Sequence, residues 1–177
     1  PKDPPRYLPL RTDLKKYFVA LQCEGDYQGE LFECVRRFLA DPEVNHLTIL
    51  GDFGTGKSSS MMELTAHLLA ADSGRIPLFF SLRDYVHVDT LQTLITKGLT
   101  EKYGVPPFPY HSFLRLLEEG RLLLIFDAFD EMATLSERWE TVESLRRLNE
   151  AVRPRSKVIL TCRRHYFTSQ AAEREQI

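Results

Sequence analysis

The chain has 177 residues, with 23 Lys and Arg against 25 Asp and Glu for a net charge of -2. Apolar residues make up 43% and charged residues 27%, the composition of one ordinary globular domain, which excludes collagen-like, low-complexity and largely disordered chains. The near-neutral balance carries no electrostatic footprint for nucleic acid or an anionic membrane. The longest apolar run, Leu122–Phe126, is far short of the ~18 residues that span a bilayer.

The elements follow in chain order. Residues 1–29 read as a lead-in segment, Pro-rich at first and with helical periodicity over Leu14–Leu21. The domain proper runs over 30–177. Glu30–Ala40 places Leu31, Val35, Phe38 and Leu39 on one helical face, and Asp41-Pro42 stops it. His46–Leu50 is a short buried strand running into a Gly-rich turn. Lys57–Ala71 has helical spacing, Ile76–Leu82 is a second strand, and Leu91–Tyr103 is a helix followed by the Pro106–Pro109 loop. Ser112–Glu119 is a short helix, Arg121–Phe126 a third strand, Arg138–Val152 a helix and Lys157–Thr161 a fourth strand. After Phe167 the chain is polar and weakly helical. Strands alternate with helices and are continuously apolar, so the expected fold is α/β in three layers, a mostly parallel sheet covered on both faces.

Three cysteines, Cys23, Cys34 and Cys162, include no C-x-x-C pair, which argues against a disulfide framework or a zinc site. Reduced thiols fit a cytoplasmic protein. The five His form no H-E-x-x-H pair. The first residues have no signal-peptide character, and a start without Met reads as a piece of a longer chain.

Gly51-Asp52-Phe53-Gly54-Thr55-Gly56-Lys57-Ser58 matches G-x-x-x-x-G-K-[ST] completely, between a predicted strand and a predicted helix, which is the context the motif requires. Gly51, Gly54 and Gly56 let the backbone wrap a phosphate so that successive N–H groups face it. Thr55 and Ser59 belong to the same cradle. The following helix aims its free N–H groups and positive dipole end at the same anion. Lys57 is placed to bridge β- and γ-phosphates, and Ser58 to offer a hydroxyl to Mg2+. The expected ligand is therefore a nucleotide polyphosphate with Mg2+.

The strand Leu122–Phe126 runs into Asp127-Ala128-Phe129-Asp130-Glu131. A carboxylate at the C-terminal edge of a parallel strand lies where ligands bind, so Asp127 joins Ser58 as a candidate Mg2+ ligand. Asp130 and Glu131 are candidates to orient or deprotonate an attacking water. After the fourth strand, Thr161 is a candidate γ-phosphate contact and Arg163 a candidate reader of that phosphate; Arg164 reads as a surface charge.

LTILGDFGTGKSS, IPLFFSLRDY, LLLIFDAFDEM and KVILTCRR, in this order, resemble the NACHT group of the STAND P-loop NTPases. The resemblance covers roughly 29–167. Its most specific part is the acidic strand, where small Ala128 follows Asp127 and further acids follow. TCRR resembles a Thr-Ser-Arg motif with Cys162 in place of Ser, and residues 26–30 are loosely like the segment near adenine. The resemblance implies a sheet of the additional-strand (ASCE) class, with 47–50 central and 157–161 lying between it and 121–126. It implies an ATP/ADP switch with slow Mg-dependent hydrolysis that controls self-association and effector activation in signalling or defence. The chain reads as truncated before the helical and winged-helix domains, with sensor and effector elsewhere. A small-molecule kinase and a DNA-handling ATPase are the alternatives. A kinase would show an Arg-rich lid, a GTPase N-K-x-D and a DNA-handling enzyme a basic, aromatic-laced loop.

Overall fold

Strands that are apolar on both faces must be covered on both faces, and the chain does this with helices packed on each side of one parallel sheet. The computed structural model describes residues 21–71, 74–85, 90–134, 146–164 and 166. Two short strands, β1 (Gln22–Cys23) and β2 (Gly29–Glu30), pair antiparallel before helix α1 (Leu31–Ala40). Strand β3 (His46–Leu50) leads into α2 (Lys57–Ala70), and β4 (Ile76–Ser81) into a 3-10 turn (Leu82–Tyr85). Helix α3 (Leu91–Lys97) widens into a π-helical turn (Gly98–Lys102), and α4 (Tyr110–Glu118) precedes β5 (Leu122–Asp127). Helix α5 (Phe129–Thr134) and strand β6 (Lys157–Cys162) complete the described elements.

The four-stranded sheet has the order β3-β6-β5-β4, with all neighbours parallel. As expected, β6 lies between β3 and β5, which defines the additional-strand class. The expectation that 47–50 is central is not met: among the described residues β3 stands at one end of the order. Its residues are correspondingly half-buried or, at Thr48 and Leu50, exposed, whereas every residue of β5 and β6 is buried.

The two-residue period of a strand sorts the core. Leu123, Ile125 and Ile159 face α1 and α2, where Val35, Phe38, Met61 and Leu64 meet them. Leu122, Leu124, Phe126, Val158 and Leu160 face the other layer, built from α3, α4 and α5. Each fully buried side chain of this size contributes ~1.5–3 kcal/mol by transfer from water. The outer edge of β4 is blunted by Tyr103, whose hydroxyl donates to Phe79 O at 2.7 Å and accepts from Phe79 N at 3.1 Å, so the edge offers fewer free groups to another chain. At the N-terminal end of β6, buried Lys157 donates to the carbonyls of Asp41 and Val44 and lies 4.7 Å above the Phe38 ring. Burial lowers its pKa.

Helix and strand positions follow the hydrophobic periods closely. The differences lie in α5 and the β1–β2 pair, to which the sequence assigned no element, and in the π turn at the end of α3. The expected periodicity over 14–20, most of the helix expected over 138–152, and the tail after Phe167 lie outside the described residues; Leu148 of that helix is buried in the core.

Candidate functional site

The C-terminal ends of β3, β6 and β5 meet at one sheet edge. Leu50 pairs with Cys162 across β3 and β6, and Phe126 with Leu160 across β5 and β6. The Gly51 N–H then donates to Cys162 O at 3.2 Å, tying the start of the Gly-rich loop to the end of β6.

Within the loop, Gly54 and Gly56 take φ of 76° and 86°, a left-handed conformation that costs an L side chain ~1–2 kcal/mol. A Cβ on Gly51 would lie 3.1 Å from Thr55 Oγ1 and 3.3 Å from Lys57 Cδ, so any larger residue crowds the lysine stem. Thr55 closes the turn by donating from Oγ1 to Asp52 O at 2.9 Å. The Lys57 ammonium folds back over the loop, donating to the carbonyls of Gly51 and, at 2.8 Å, Asp52, with Thr55 Oγ1 at 3.4 Å.

The first helical hydrogen bond of α2 runs from Ser60 N to Gly56 O at 2.9 Å. The N–H groups of Lys57, Ser58 and Ser59 therefore have no partner inside the helix. The cap residue Gly56 has no side chain to take one, and the first turn holds no acid. Lys57, Ser58 and Ser59 are all half-buried at this terminus. Such an end, with a cation folded over it, is receptive to an oxyanion.

Asp127 ends β5 in register with Ser81 of β4 and is 1% exposed. The Thr161 hydroxyl donates to its Oδ1 at 2.6 Å and accepts the Ala128 N–H at 3.0 Å. Thr161 is thus fully buried and engaged behind the carboxylate. Ala128 has φ of 60°, which explains why a small residue stands there. This sharp turn starts α5 and brings Asp130 and Glu131 into its first turn.

Arg163 binds these acids. Its N–H donates to Asp130 Oδ1 at 3.0 Å and its Nε lies 2.8 Å from Oδ2. Its Nη2 is 3.5 Å from Glu131 Oε1, and its guanidinium stands 5.1 Å over the ring of Phe53 in the Gly-rich loop. Cys162, enclosed beside this pair, has its thiol pushed up to about 12 by burial and then by the Asp130 charge. Half-buried Lys102 has its pKa lowered by burial, opposed by the charges of Asp84 and Asp127.

The structure therefore brings Asp127, Thr161, Asp130, Glu131 and Arg163 into one cluster, joined to the loop through Phe53 and Gly51. Arg164 is exposed. Tyr27 packs under Arg37 and donates to Asp41 Oδ2 at 3.3 Å. Sequence reasoning missed Phe53, and it missed Arg83, whose Nε is 3.4 Å from Glu131 Oε2. The signal for Arg83 was its place two residues past the end of β4, at the same sheet edge.

The donor set fits a hard cation shared with a phosphate. Among the described residues no group of three or more His, Cys, Asp or Glu side chains could hold a metal by itself. Mg2+ in phosphate sites takes one or two protein oxygens and the rest from phosphate and water. Asp127, with Oδ1 steadied by Thr161, has the chemistry for one of these, and the Ser58 hydroxyl for another.

A complete phosphate loop on a parallel sheet, with an added strand between the loop strand and the acidic strand, is a P-loop NTPase of the additional-strand class. Within that class the chain belongs to the NACHT family: the NACHT domain model matches residues 45–175. An uncharacterized WD repeat-containing protein of the cyanobacterium Nostoc sp. (strain PCC 7120) is 33% identical over 139 residues, covering 73% of this chain. The matched region is 9% of that relative's length. A NACHT domain is a nucleotide-binding NTPase module. Among the described residues no helix is long and apolar enough to cross a membrane.

Proposed function

We propose that the chain is an ATP/ADP switch whose slow, Mg-dependent hydrolysis controls self-association and effector activation in a larger cytoplasmic signalling or defence protein. In this reading residues 30–177 form the nucleotide-binding unit and 1–29 lead into it. The observation that carries the reading is Arg163, held by Asp130 and Glu131 while resting over Phe53 of the phosphate loop. One side chain thus touches both halves of the site, the arrangement a switch needs to register which nucleotide is held.

The loop backbone from Gly51 to Gly56, with Thr55 and the N–H groups of Lys57, Ser58 and Ser59, binds the phosphates. Lys57 exchanges its carbonyl partners for phosphate oxygens. Ser58 and Asp127 would hold Mg2+, which supplies charge neutralisation between the phosphates. Thr161 acts through Asp127 rather than on the nucleotide. Glu131, with Asp130 steadying Arg163, orients the attacking water, and Arg163 reads the γ-phosphate.

Hydrolysis by this chain is expected to be very slow, because Asp52 to Gly56 of the phosphate loop are exposed and a wet site weakens each charge interaction. The test is titration of ATP, ADP and GTP against melting temperature, with steady-state phosphate release at low and high protein concentration. Adenine-nucleotide stabilisation with turnover well below ~1 s⁻¹ supports the switch. Turnover above ~1 s⁻¹, within the usual enzyme range, points to a kinase-like or motor-like enzyme instead.

A further inference from the structure

We infer that Arg83 is a positioning residue that fixes the carboxylate of Glu131 for its work on the attacking water; this rests on the role given to Glu131 above. Two guanidinium groups from the ends of two different strands share that carboxylate. Arg163, after β6, lies 3.5 Å from Oε1, and Arg83, after β4, lies 3.4 Å from Oε2. Arg163 cannot hold Glu131 alone, because its stronger engagement is with buried Asp130, through Nε at 2.8 Å and its backbone N–H at 3.0 Å.

Arg83 stands on a rigid base. Its 3-10 turn is anchored by Leu82 and Tyr85, both buried in the core that also contains Phe129 and Met132 of α5. The charged ends of Arg83 and Glu131 are 49% and 35% exposed. An ion pair at that exposure adds little to stability, so its consequence is conformational. It restricts a flexible glutamate whose effect on water depends on placement.

The experiment is single-turnover hydrolysis of Mg-ATP by the chain, with ATP affinity measured by calorimetry and melting temperature recorded. Arg83→Gln is compared with Arg83→Lys, and each with the same change in a Glu131→Gln background. The expected result is a roughly tenfold slower chemical step in Arg83→Gln, well inside the ~10²-fold that 1 Å of misplacement costs, with affinity and melting temperature unchanged. Arg83→Lys recovers part of the rate, since it restores charge without the planar fork. In the Glu131→Gln background Arg83→Gln has no further effect. The inference is overturned if Arg83→Gln turns over like wild type, loses affinity instead of rate, or slows both backgrounds equally. If the wild-type chain is no faster than Glu131→Gln, the role of Glu131 falls and the inference with it. If the wild type is faster and Arg83→Gln matches it, the inference alone fails.

Discussion

The Thr161 hydroxyl donates to Asp127 Oδ1 at 2.6 Å and accepts the Ala128 N–H at 3.0 Å, so one buried oxygen joins the ends of β5 and β6. Thr161→Val keeps the shape and removes both bonds. It leaves a buried N–H and a buried carboxylate oxygen without partners, each costing ~1–3 kcal/mol. Urea unfolding should show a loss of at least about 2 kcal/mol, with Thr161→Ser close to wild type. Equal stability of the valine variant would remove this joint from the account of the fold.

Asp127→Asn can still accept the Thr161 hydrogen bond through its amide oxygen, so the fold should survive. What disappears is the negative charge available to a hard cation. Calorimetry should show loss of Mg-dependent ATP binding with metal-free ADP binding largely retained. Parallel loss of both would make Asp127 a structural residue.

Lys57→Ala leaves the Gly51 and Asp52 carbonyls at a solvent-accessible loop, where water can replace the ammonium. The melting temperature without nucleotide should change little. The shift produced by ATP or ADP should vanish, since hydrogen bonds to charged groups are worth ~1.5–3 kcal/mol each. An undiminished ATP shift in this variant contradicts the phosphate role.

Ala128 holds φ of 60° while 6% exposed. A β-branched side chain is a steric outlier there. Ala128→Val should destabilise by about 2 kcal/mol or more, and Ala128→Gly should stay within about 1 kcal/mol because relief of strain and gain of unfolded-state entropy oppose each other. Chemical denaturation of the two variants decides it.

Cys162 has its thiol raised from 9.0 to about 12 by burial and the neighbouring Asp130 charge. A raised folded pKa means the native state keeps a proton that the unfolded chain has lost, so stability falls as pH rises from about 9 to about 12. Below 9 this group adds no slope. Denaturation curves across that range should be less steep in pH for Cys162→Ala than for wild type. The same protonation predicts slow alkylation of Cys162 in the folded chain at pH 8.

Much of the architecture was legible because it is written in local periods. Continuous apolar runs marked β3 to β6, the helical spacing of Leu31, Val35, Phe38 and Leu39 marked α1, and the phosphate loop was readable from residue types alone. The resemblance of DAFDE and TCRR supplied the strand order, which no period encodes. Not legible were the end position of β3, the left-handed turn at Ala128 that starts α5, and the π turn after α3. Each depends on what packs against the segment rather than on its own sequence. The structure brings Asp127, Asp130, Glu131 and Arg163 together, and their pairings could not be read from the sequence. Residues 33 and 34 positions apart are brought into hydrogen-bond distance by the parallel register of β5 and β6. Thr161 was therefore read as facing the nucleotide, when the register places its hydroxyl on Asp127. Arg83 and Phe53 were visible only as a charge after a strand and an aromatic in a loop. Residue type determined which groups can bind phosphate and cation; only tertiary structure decided which carboxylate meets which guanidinium, because those distances are set by the register of the strands that carry them.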